Sequence, residues 1–176
     1  AGARTEAIEA ILQALEEDPS RSADWLHYAQ LLEAEGEHEL ALEANERCLT
    51  LDRQCGDAWA LKARLLAEKQ SHERDALKAA THAVALGAGG VDAVFLKAEL
   101  LELEGSMVAA EETLLKALET QPYNGELRAR MAGRYLIQHR VEDASALLSS
   151  TPDGIDHALL HTVEGRLHLA HADRLR

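Results

Sequence analysis

Apolar residues recur along this chain in stripes spaced three and four apart, broken by short polar turns, which is the period of amphipathic helices rather than strands. The stretch from Trp25 to Asp52, WLHYAQLLEAEGEHELALEANERCLTLD, shows the pattern most cleanly. It reads as two helices joined by the turn Glu35-Gly36-Glu37. Small residues then mark a period. Ala7, Ala41, Ala76, Ala110 and Ala144 are spaced 34, 35, 34 and 34 apart. Ala29, Ala63, Ala98, Ala132 and Gly165 follow at 34, 35, 34 and 33. A period in this range signals stacked helix–turn–helix units, each burying its apolar stripe against its neighbours. The expectation is an all-α fold of about ten helices and no strand.

The period divides the chain. Residues 1–21 read as the second helix of a partial repeat, and 22–55, 56–90, 91–124 and 125–156 as repeats. Residues 157–176 read as the first helix of a truncated one. A chain that starts and stops mid-repeat reads as a fragment of a longer protein. Ser22 or Asp24 is placed to cap the first complete repeat. One extra residue falls between Lys69 and Arg74, and Gly87-Ala88-Gly89-Gly90 reads as a glycine C-cap and turn. No Lys-Ser/Thr follows those glycines, so they are not a phosphate loop. Pro19 and Pro122 share one repeat position, after a second helix, where proline ends a helix without harm. Pro152 arrives about a turn early and predicts a short helix ending near Ser149.

Trp25-x2-Tyr28-Ala29-x2-Leu32, followed by Ala41, Cys48 and Asp52, resembles the tetratricopeptide repeat, and the likeness extends over nearly the whole chain. The resemblance implies a superhelical solenoid of antiparallel helix pairs whose first helices line a concave groove. It further implies a non-catalytic scaffold that holds a segment of a partner protein. Carried across position by position, the groove comprises Leu26, Gln30, Glu33, Asp57, Arg64, Glu68, Asp92, Phe95, Glu99, Glu102, Leu103, Glu126, Ile137 and Arg166. The family's chaperone-binding members clamp a terminal carboxylate with Lys, Asn and Arg. Here those places hold Leu26, Gln30, Leu61, Arg64, Asp92 and Leu96, which retain one arginine and do not make such a clamp. Phe95, the single phenylalanine, stands out as an apolar anchor in the groove, or else packs against a neighbouring helix.

Charge narrows the partner. The formal charge of −13 argues against nucleic acid and against an anionic membrane surface. It favours peptide segments in which Lys or Arg alternates with large apolar residues. No apolar run approaches the ~20 residues of a membrane span. Two cysteines without a spacing pattern suggest a reducing compartment or impose no constraint at all, and the expected setting is cytoplasmic. Thirteen arginines against five lysines, with so much Ala and Leu, point to a GC-rich bacterial source.

Chemistry is sparse. His157, His161, Glu164, His168 and His171 share a helical stripe about 80° wide. His161, Glu164 and His168 are thus candidate ligands for zinc or nickel, although one helix lacks the second element that closed sites use. His38-Glu39 and His72-Glu73 fail the zinc-protease pattern, because Leu42 and Ala76 stand where histidine is required. Paired acids on second helices are solvated outer faces. No catalytic set and no cofactor motif is present. Two rival readings remain beside the scaffold: self-assembly through open ends, where Ile8, Ile11, Leu15, Leu167 and Leu169 would be partly bare, and metal binding at the histidine stripe.

Overall fold

The alanine markers define the architecture. The structure is a computed structural model that describes residues 2–151, 162–163 and 165–167, with side chains from residue 6 onward. Ala29, Ala41, Ala63, Ala76, Ala98, Ala110, Ala132 and Ala144 are all at most 1% exposed. Each sits where two helices approach too closely for a larger side chain. Among the described residues, nine helices with defined bounds follow in order: α1 Gly2–Glu17, α2 Ser22–Ala34, α3 His38–Leu51, α4 Gly56–Ala67, α5 Glu73–Ala85, α6 Gly90–Leu103, α7 Met107–Thr120, α8 Gly125–Ile137 and α9 Val141–Ser149. Residues 162–163 and 165–167 are also helical, and no strand occurs among the described residues. The fold is all-α, as the pattern predicts.

The turns repeat as faithfully as the helices. Gly36 and Gly105 take φ of 82° just past α2 and α6. The amides of Glu37 and Ser106 then donate to Leu32 and Leu101, five residues back, at 2.9 and 2.8 Å. His139 takes the same left-handed place after α8, with φ 60°. Ala88 donates likewise to Ala83, closing α5 with the predicted glycine cap at Gly87. The extra residue lies in the longer turn Glu68–His72, where Ser71 has φ 67°. α9 ends at Ser149, ahead of Pro152. The expected cap at Ser22 or Asp24 is not formed: Arg21 is the N-cap residue, and Asp24 is instead buried and ion-paired to Arg21 at 3.1 Å.

Contacts divide the chain into two compact units, Ala1–Ala110 and Glu111–Arg176. In the first, α1 through α6 pack in sequence, and α2 also touches α4, and α4 touches α6. The even-numbered helices therefore form the more closely spaced row, here termed the inner row. Its core joins Ala29, Leu32, Ala41, Ala44, Leu61 and Leu65, then Ala63, Leu66, Ala76, Ala79, Ala80 and Leu100. The second unit gathers Ala129, Ala132, Tyr135, Val141, Ala144 and Leu148 with Val163 and Leu167.

Candidate functional site

The inner row carries most of the residues assigned to the groove, and its charges are not all free. Near the C-terminal end of α2, Glu33 accepts from Arg64 of α4 through three contacts, 3.2 Å from Nε and 3.0 and 2.8 Å from Nη2. Both groups keep partial solvent contact, so the pair contributes at most about 1 kcal/mol. Its greater consequence is that Arg64, the one cation among the groove positions assigned to α2, α4 and α6, is already neutralised. One period further along, the equivalent places hold Ala67 and Glu99. Glu99 is exposed and has no ion-pair partner among the described residues.

The other positions sort by exposure. Gln30, Asp57 and Asp92 are exposed, and the two aspartates occupy the first turns of α4 and α6. Acids in a first turn are favoured by the helix dipole, so folding alone accounts for part of their presence. Glu68 caps α4 and meets His38 Nδ1 at 2.6 Å. Glu102 is half-buried, whereas Leu103 at the end of α6 is 74% exposed. In the second unit Glu126 lies 3.6 Å from Arg130, Ile137 is 71% exposed, and Arg166 is exposed. His161, Glu164 and His168 lie outside the described residues.

Three apolar assignments change. Phe95 is only 5% exposed and offers no ring to a ligand. It falls on the stripe Val91–Phe95–Ala98, one of two buried faces of α6, the other carrying Ala93 and Leu100. A helix packed on both faces leaves its mid-helix aromatic no open side. Leu26 is half-buried and committed to the core around Cys48 and Ala58. At the ends, Leu15 and Leu167 are 6% and 8% exposed rather than bare, Ile8 and Ile11 are half-buried and so partly bare, Leu12 of α1 is an exposed large apolar residue at 40%, and Leu169 lies outside the described residues.

The period also exposes a substitution that sequence reading overlooked. Trp25 and Trp59 donate their indole N–H to the carbonyl six residues back, Pro19 and Arg53, each at 2.9 Å. Arg128 occupies the same place in α8 and donates from Nε to Pro122, again six back, at 3.1 Å. It is 5% exposed, and its Nη1 reaches the Leu147 carbonyl at 3.1 Å and Ser150 Oγ at 3.5 Å, at the end of α9. Burial pushes its guanidinium pKa down. The alignment of Trp25, Trp59 and residue 128 was the available signal.

Two further clusters are structural in character. Glu111 accepts from Arg140 at 2.8 and 3.0 Å and from Tyr135 Oη at 3.2 Å, while Arg140 also meets Asp143 at 2.6 Å. The Arg140 hydrogen bonds hold the Glu111 carboxyl below its ordinary range, and burial pushes the Tyr135 phenol up. Elsewhere Trp59 stacks on His82 with centroids 4.5 Å apart, beside a depression of about 570 Å³ lined by Leu49, Arg53 and Leu86 among others. Among the described residues, no group of three potential ligands converges as a metal site does.

Residues 25–55 match the Tetratricopeptide repeat family model. That match spans one repeat of the chain, and the fold around it resembles that of the tetratricopeptide repeat proteins. Its helices superpose on Pseudomonas aeruginosa pilF with a TM-score of 0.73, at 20% identity over 98% of this chain and 79% of that one. PilW, described as a widely conserved type IV pilus biogenesis factor, gives 0.70 at 17% identity over 96% and 79%. YrrB, described as a tetratricopeptide repeat protein with an unusual peptide-binding site, gives 0.65 at 19% identity over 82% and 74%. At these identities the likeness shows the fold alone. No curated protein matches the sequence. None of the described helices is long and apolar enough to cross a membrane.

Proposed function

We propose that the chain is a non-catalytic scaffold whose inner row, α2, α4 and α6, holds a segment of a partner protein. The observation that carries this reading is the charge arrangement of that row. Arg64 is engaged by Glu33, whereas Glu99 and Asp57 stand exposed on neighbouring helices. A surface that neutralises its own cation and leaves carboxylates open is suited to a ligand bringing cations of its own. Leu103, 74% exposed and one turn beyond Glu99 on α6, supplies an apolar contact. The ligand class is therefore a peptide in which Lys or Arg alternates with large apolar side chains.

The test is fluorescence anisotropy of the intact chain with a labelled peptide of alternating lysine and leucine. A second peptide, with glutamate in place of lysine, serves as the control. Saturable binding of the first, weakened by salt and lost in the second, supports the reading. Equal affinity for both peptides overturns it.

A further inference from the structure

Cys48, in the last turn of α3, is fully buried, while Cys55, the N-cap residue of α4, is half-buried. Both are free thiols, and both pack in one small cluster with Leu49, Ala58, Trp25 and Trp59. The turn between them is tight. The Asp52 amide donates to Cys48, and the Cys55 amide donates to Asp52, at 2.8 and 3.3 Å. Chain reversal thus returns the second cysteine to the first, and the two side chains pack in the same cluster. We propose that Cys48 and Cys55 form a site of reversible intramolecular disulfide formation that locks the junction of α3 and α4.

The chemistry follows from their unequal exposure. Burial, and then the neighbouring Cys55, pushes the Cys48 thiol up to about 12, so it is not the initiating nucleophile. Cys55 reaches solvent and, as thiolate, attacks a small disulfide, releasing one thiolate and leaving a mixed disulfide on its own sulfur. Cys48 then gives its proton to the released thiolate and attacks the Cys55 sulfur, expelling the second small thiol. One small disulfide is reduced to two thiols as the protein loses two hydrogens. Because Arg53 and Gln54 of the closed loop line the depression beside Trp59, oxidation would also fix one wall of that depression.

The experiment treats the native full-length chain with oxidised glutathione, followed by intact-mass and peptide-mapping mass spectrometry. The expected product is a monomer two hydrogens lighter, with Cys48 linked to Cys55 and a melting temperature raised by about 5 °C. Cys48→Ser should instead trap a stable glutathione adduct on Cys55, and Cys55→Ser should stay unreacted. A persistent glutathione adduct on the wild-type chain, a disulfide-linked dimer, or unchanged thiols would each overturn the proposal. The wild-type arm decides the question even where a variant folds poorly.

Discussion

Arg128 shows how much one residue of a repeat can differ while keeping its task. It makes the same backward hydrogen bond as Trp25 and Trp59 and also caps the carbonyl end of α9. Buried cations without a carboxylate are tolerated only when hydrogen-bonded, and here Nε and Nη1 both find acceptors. Arg128→Ala should cost about 3 kcal/mol by leaving both a cavity and open carbonyls, and Arg128→Trp should cost less. Denaturant unfolding of the two variants checks this; a larger loss in Arg128→Trp would show that the α9 carbonyls dominate. Ala63→Leu and Ala98→Leu should each cost roughly 1–3 kcal/mol, since both sites are closed on all sides, and an unchanged melting temperature would refute it. These alanines were legible in the sequence because spacing alone marks close approach. Phe95 was not, because spacing names a helical face but cannot reveal that α6 is buried on two of them.

At the scale of elements, the three-residue turns were readable wherever glycine supplied the left-handed residue. The turn after α8 was harder to see because His139 stands in that place. A non-glycine residue there carries strain, so His139→Gly should stabilise the protein by up to about 1 kcal/mol, measured by urea unfolding. Gly105→Ala, at φ 82°, should do the reverse. Destabilisation by His139→Gly would mean that its side-chain contacts outweigh the backbone strain. The clamp of Glu111, Arg140 and Tyr135 was not foreseen, because Glu111 lies 24 and 29 residues from Tyr135 and Arg140, and neither Glu111 nor Arg140 falls on a marker position of the repeat. Arg140 lowers the Glu111 pKa below its ordinary 4.5. A lowered folded pKa contributes stability that is present above about pH 4.5 and is lost as pH falls through the folded value. Thermal melts of Glu111→Gln should accordingly show a lower melting temperature at pH 7 and a shallower decline below pH 4.5. An acid limb as steep as that of wild type would remove the clamp from the acid response.

For the molecule as a whole, a charge of −13 attracts any basic peptide, so simple salt sensitivity does not locate a binding surface. Location requires changes of equal charge at different places. Glu99→Gln removes an unpaired carboxylate from the inner row, and Glu43→Gln removes an exposed one from α3 at the same change in net charge. Arg64→Gln acts in the opposite direction, since it releases Glu33 from its fork. If the lysine–leucine peptide docks on α2, α4 and α6, stopped-flow association at low salt should be several-fold slower in Glu99→Gln and nearly unchanged in Glu43→Gln. It should be faster in Arg64→Gln, and all three differences should shrink as screening shortens to about 8 Å at physiological ionic strength. Leu103→Ala should act mainly on dissociation, because an apolar contact holds a docked ligand without steering its approach. Equal slowing by Glu99→Gln and Glu43→Gln would mean that only the global field is felt. The binding surface would then have to be sought outside the inner row, with the depression beside Trp59 and His82 the next place to probe.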